Sequence, residues 1–255
     1  MTEREYFKEI TKLYLSTGRP YTKEISSKLK ERYFQTNYEV YNGDDTLFFK
    51  QLEKKLNWTS LSHKEKSKIW SYCFKHTNQL GLGSLAISYF KKFQNKKSHS
   101  LREDWNTLKS WCPKIENWVH GDMLAGLYCD IRSEDHEGIY PELLKWSKQK
   151  SPWKARMSIL SLLYYYNPKR RAPRFDEIQQ ILEPHIKKDH YYLQKSVGWC
   201  LRETSKVYPS EFKNLINTHL LDISSTAFTT AMEKVPTGQK EIWKKRRKES
   251  RARNR

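Results

Sequence analysis

Long apolar runs are missing from this chain. No stretch approaches the roughly 18 consecutive apolar residues that cross a bilayer, so no membrane partner is expected. The opening MTEREYFKEI is charged throughout and lacks the apolar centre of a secretion signal. The four cysteines, Cys73, Cys112, Cys129 and Cys200, form no CxxC pair, and no Cys/His pair has zinc-ligand spacing. A disulfide framework and a metal site are therefore not expected, and the thiols read as reduced and buried. Strand-like alternation is lacking too, as are sustained heptads, which argues against a β-sandwich and against a coiled coil. Acid is the last scarcity: 29 Asp and Glu stand against 48 Lys and Arg, a net charge of +19. The final sixteen residues, KEIWKKRRKESRARNR, carry +7 of this and the body the other +12. A field of that sign favours polyanions, nucleic acid first and an anionic membrane surface second.

What is present is helical periodicity almost throughout. Caps and breakers place helices near 2–16, 22–35, 45–56, 61–77, 83–93, 101–112, 116–133, 139–150, 152–166, 174–187, 190–207, 209–220 and 224–234. Ser62 with a glutamate three residues on marks one start, Thr46 a second and Pro209-Ser210-Glu211 a third. Gly18-Arg19-Pro20, Asn42-Gly43-Asp44 and Asn167-Pro168 mark breaks. Gly81-Leu82-Gly83-Ser84 reads as a further helix break rather than a phosphate-binding hairpin. Short helices on short loops, with Trp118, Trp153 and Trp199 recurring at nearly the ~40-residue period of HEAT-like repeats, point to an all-α fold of stacked antiparallel helix pairs. Such a stack curves into a solenoid with a concave, here basic, cleft. Residues 1–240 read as this domain and 241–255 as a basic tail without structure until it meets a polyanion.

Three segments hold the residues of chemical interest. NWVHGD places Trp118 four residues before Asp122, one helical turn away on the same face. SPWKARMSIL places Trp153 three before Arg156, and YLQKSVGWCLRE sets Trp199 beside Gly198 in mid-helix. An aromatic face next to a carboxylate suits a developing cation. The loop NPKRR offers Lys169, Arg170 and Arg171 to phosphate. Trp58, Trp70, Trp146 and Trp243 read as packing residues, and His120 points off the Trp118–Asp122 face. Tyr164-Tyr165-Tyr166 cannot share one helix face, so at least one ring is exposed.

Together these segments resemble the AlkD-type DNA alkylpurine glycosylases, proteins of HEAT-like repeats, over roughly residues 110–235. QKSVGWCLRE is the most specific of the three. The resemblance implies a monomeric, cofactor-free, monofunctional enzyme that excises cationic N3- and N7-alkylated purines from double-stranded DNA without a deep base pocket. It implies Trp118, Asp122 and Trp199 as catalytic residues facing the sugar, and Arg156 as the arginine holding the DNA backbone; Lys195 of the third segment is a further candidate DNA contact. No lysine stands where a Schiff base would form, so strand cleavage is not expected. The N-terminal third departs from the family pattern, with KLKERYFQTNYEVYNGDDTLFF in place of a compact Phe-Leu-Gly-type segment. The rival expectations are a non-catalytic binder of bent, branched or damaged DNA and a protein-binding scaffold. The expected location is the cytoplasm, on the nucleoid of a bacterium, or the nucleus of a eukaryotic cell.

Overall fold

A computed structural model describes residues 1–94 and 100–253. The chain divides into two compact units, Met1–Leu124 and Ala125–Arg255. The first unit holds α1 (Glu3–Ser16), β1 (Gly18–Pro20), α2 (Lys23–Lys28), β2 (Tyr41–Gly43), α3 (Asp45–Leu56), α4 (His63–His76), α5 (Leu80–Gln94) and α6 (Trp105–Lys109). The division falls inside α7 (Trp118–Glu134). The second unit continues with α8 (His136–Ser147), α9 (Pro152–Leu160), α10 (Phe175–Leu182), α11 (Tyr191–Val207), α12 (Pro209–Thr218), α13 (Ser225–Ala231) and α14 (Thr237–Arg253). The fold is all-α, with neighbouring helices packed as pairs such as α4 on α5 and α8 on α9.

Local chemistry explains the helix starts. Thr2 with Glu5, and Ser62 with Glu65, form reciprocal capping boxes that satisfy otherwise orphaned N–H groups. At α3 the cap is Asp44, not Thr46: its carboxylate accepts from the Leu47 N–H at 2.8 Å. The expected helix over 22–35 changes character midway, since α2 runs into a π-helical turn, Leu29–Phe34, closed by Gln35 at φ 49°. The first strands come as a surprise. β1 and β2 pair antiparallel with Gly18 opposite Gly43, three residues each and too short for alternation to show.

Gly81 and Gly83 do not break a helix but open one, in the first turn of α5. A Cβ at Gly83 would lie 2.6 Å from the His120 ring, so glycine is what admits that ring. In the core of the first unit Phe74 and Trp111 stack at 4.4 Å, and Trp70 is buried completely.

In the second unit, α9 stops at Leu160 rather than 166. The cause is Arg132, 1% exposed, whose guanidinium donates to the carbonyls of Ser161 and Leu162 at 3.2 Å each and of Arg171 at 2.7 Å. Those carbonyls, which a continuing helix would have used, turn instead toward α7. α11 keeps its expected span almost unchanged and packs on α9, α12 and α13.

The basic tail requires a correction. Residues 241–253 are not without structure but form most of α14. Trp243 explains this: it is 1% exposed, packs edge-on against Phe212, and its indole N–H donates to Asn217 Oδ1 at 2.9 Å. One large buried aromatic anchors a segment whose charge alone suggested a free tail. Trp58, Trp70 and Trp146 are buried as expected.

Candidate DNA-facing site

In the first unit the site begins at the N-terminus of α7. Asn117 accepts from the His120 N–H at 2.9 Å, and its amide donates to His120 Nδ1 at 3.4 Å. His120 Nε2–H then donates to the Leu80 carbonyl at 2.8 Å. Burial lowers the pKa of this imidazole to about 4, so it is neutral at physiological pH and serves as a strut between α5 and α7. That matches its expected place off the chemical face.

Trp118, the first residue of α7, is half-buried, with Asp122 one turn on and 9% exposed. The indole N–H of Trp118 donates to the Tyr33 carbonyl at 3.1 Å. Its ring stacks on Phe34 (centroids 6.1 Å apart, planes at 30°) and meets Tyr33 edge-on at 5.8 Å.

Tyr33 and Phe34 come from the segment that departs from the family pattern, and the sequence reading gave them no role. They sit in the π-helical turn, whose irregular backbone carries both rings to Trp118. Glu116 fixes the following loop, accepting from Thr36 Oγ1 and the Asn37 N–H at 3.0 Å each. The signal that could have found them is the adjacent aromatic pair in an otherwise charged helical stretch.

In the second unit, Gly198 sets the position of Trp199. A Cβ on Gly198 would fall 2.5 Å from the Ala227 carbonyl oxygen and 2.7 Å from Thr230 Cβ, so α11 and α13 cross with almost no space between them. Half-buried Trp199 lies with Tyr164 (5.3 Å, 32°) and Tyr165 (4.6 Å, 63°), and the Arg202 guanidinium sits 5.5 Å over its ring. Its indole N–H is buried with no hydrogen-bond partner among the described residues. Tyr165 is the exposed member of the tyrosine triplet, and it holds a left-handed backbone at φ 38°. Glu203 is fully buried, accepting from Arg202 Nε at 3.0 Å, Lys206 Nζ at 2.5 Å and the Tyr166 N–H at 3.0 Å. The GWCLRE motif therefore combines a packing glycine, an aromatic surface and an internal anchor for the Tyr164–Tyr166 segment.

The cations divide by environment. Arg156 on α9 is 3% exposed, donates to the Tyr192 carbonyl and lies 5.9 Å from the Tyr192 ring centroid. Trp153 packs against the same ring at 5.4 Å. Burial, with the Arg156 charge second, lowers the pKa of His190.

Arg170 is turned inward, paired with Asp130 at 2.5 Å and donating to the Tyr164 carbonyl at 2.6 Å, so it braces the loop. Arg171 is exposed and pairs with Glu137 at 3.1 Å. Lys169 is exposed, and its ammonium has no ion-pair partner among the described residues. Lys195 is half-buried and reaches Thr230 Oγ1 at 3.3 Å. Two features sequence reasoning missed thus stand out: the aromatic pair beside Trp118, and the withdrawal of Arg170 from the basic loop.

Comparison with known proteins now bears on this geometry. Residues 46–235 match the model of a family described as DNA alkylation repair enzyme. A solved structure titled "Predicted DNA alkylation repair enzyme from Enterococcus faecalis" is similar at TM-score 0.65 and 17% identity, covering 87% of this chain and 99% of that one. AlkD2 from Streptococcus mutans is similar at TM-score 0.52 and 17% identity, covering 84% and 99%. A third, smu.31 from Streptococcus mutans UA159, has TM-score 0.52 and 18% identity, covering 74% and 93%. At these identities the structures speak for the fold. No curated protein matches the sequence.

Proposed function

The chain belongs to the DNA alkylation repair enzyme family, and from that premise we propose that it is a monofunctional DNA glycosylase releasing cationic N3- and N7-alkylated purines from duplex DNA. The observation that carries the reading is the turn at the start of α7, where a half-buried tryptophan and a carboxylate share one face. An aromatic π-face and an anion are both groups that favour a neighbouring cation.

Alkylation at N3 or N7 leaves the purine positively charged and therefore a good leaving group. As the N-glycosidic bond breaks, its electron pair neutralises the base and C1′ takes on oxocarbenium character. Water then adds to C1′ and gives up a proton to solvent, since the departed base is already neutral. Asp122 stabilises the sugar cation and orients the water. A carboxylate and a unit positive charge ~4 Å apart attract by about 4 kcal/mol at an effective dielectric of ~20. Each tryptophan face, of Trp118 and Trp199, adds roughly 0.5–2 kcal/mol by cation–π attraction. Contributions of that size speed departure of a cationic base and leave a neutral base in place. Selectivity for charged lesions follows without a pocket that reads the base. Lys169, Arg171 and Lys195 contact the backbone in this reading, whereas Arg156, buried and donating to the Tyr192 carbonyl, and Arg170 act through the segments they brace.

The test is direct. Duplex DNA carrying 7-methylguanine or 3-methyladenine is incubated with the protein, and free base is measured. Release of the methylated purine without strand cleavage supports the glycosylase. Tight binding of bent or branched duplex with no base release would favour the non-catalytic reading.

A further inference from the structure

Helix α14 lies beyond residues 46–235, the span that matches the family model. Its cations are not scattered evenly. Lys244, Arg247, Lys248 and Arg251 fall at helical spacing on one stripe, and with Phe228 and Thr229 of α13 they line a groove of about 640 Å3. Among the described residues no carboxylate lines it. Lys244 is partly neutralised by Glu241 at 2.8 Å, whereas Lys248 and Arg251 are exposed and have no ion-pair partner among the described residues.

Arg247 is the unusual member. It is 5% exposed, its Nη1 donates to the carbonyls of Leu220 and Ile223, and its guanidinium sits 4.5 Å over the Phe228 ring. Its Nη2 is buried and has no hydrogen-bond partner among the described residues. Burial, with repulsion from Arg251 second, lowers its pKa to about 10, so it remains charged at neutral pH. A buried cation without a counter-ion is costly. The fold places it beside two further unpaired cations, and an anion in the groove supplies the missing charge. The volume exceeds what one phosphate ion fills, leaving room for an attached sugar.

We propose that the α13–α14 groove is a second DNA contact, which seats one backbone phosphodiester between Lys248 and Arg251 and acts in affinity rather than in base release. This rests on the DNA-repair reading only for the identity of the polyanion. Deleting α14 is a poor test because Trp243 would leave the core with it. The double variant Lys248→Gln/Arg251→Gln changes exposed side chains only. A comparison variant, Lys213→Gln/Lys234→Gln, removes the same charge from exposed positions that do not line the groove.

Affinity of the full chain for undamaged duplex is measured by anisotropy across a salt series, with thermal unfolding as the control for folding. One lost phosphate contact lowers the magnitude of the log–log slope by about 0.9. The expected result is that fall in the groove variant, less than half of it in the comparison variant, and unchanged unfolding in both. An unchanged slope in the groove variant overturns the proposal, and so does an equal fall in the comparison variant. Base release separates the two readings. A wild-type protein that releases no base, while the groove variant still loses its slope, sinks the glycosylase and leaves the groove standing. Normal release by a groove variant of unaltered slope does the reverse.

Discussion

Adding one methyl group at Gly198 sets two physical effects against each other. Alanine is the better helix former in the middle of α11, and by propensity alone Gly198→Ala should stabilise by about 1 kcal/mol. The crossing with α13 opposes this. The new Cβ would meet the Ala227 carbonyl oxygen at 2.5 Å and Ala227 Cα at 2.9 Å, both inside the 3.0 Å that real Cβ atoms respect. Those are backbone atoms and cannot rotate away, so the helices must separate. Overpacking of this kind typically costs about 1–3 kcal/mol, and a contact against backbone belongs at the upper end. The net expectation is a loss of about 1–2 kcal/mol, with Tm falling about 2–4 °C per kcal/mol in a chain of this size. Trp199 is the next residue, so its ring moves with the helix, and base release should slow by roughly tenfold, since small misplacements near reacting atoms are expensive. Urea denaturation and single-turnover release on the same preparation read both effects. Stability equal to or above wild type would refute the close-crossing argument.

Two further outcomes are expected. His120 is bound neutral, with a pKa lowered from 6.5 to about 4, so the unfolded chain takes up its proton first. Its stabilising contribution is present above pH 6.5 and is lost as pH falls toward 4, on the order of 3 kcal/mol in all; in His120→Gln, stability measured against pH should lose that part of the wild-type slope, and an unaltered slope would contradict the assignment. Trp199→Ala should slow base release more than Trp199→Phe, because a phenyl face keeps part of the attraction for a cation and part of the packing with Tyr164 and Tyr165; equal impairment would make packing the whole role of this residue.

The parts of the molecule legible in the sequence are those fixed by local chemistry. The span of α11, the Ser62–Glu65 capping box and the shared face of Trp118 and Asp122 all follow from spacing within one or two turns. What escaped depends on partners far along the chain. Arg132 ends α9 from some thirty residues away, and Asp130 draws Arg170 out of a loop that on charge alone reads as a phosphate clamp. The basic C-terminus shows the same conflict within one segment. Charge argued for no structure, while Trp243, correctly read as a packing residue, already argued for a docked helix. Tyr33 and Phe34 were hidden because a π-helical turn breaks the periodicity that would have placed them.

The most direct measurement of the central claim is single-turnover release of 7-methylguanine from duplex DNA by Asp122→Asn, which keeps size and hydrogen bonding but deletes the charge. The account predicts at least a tenfold fall in the rate, about 1.4 kcal/mol or more of lost transition-state stabilisation, with affinity for undamaged duplex level or higher. Excision at the wild-type rate by this variant would remove Asp122 from the chemistry and contradict the mechanism.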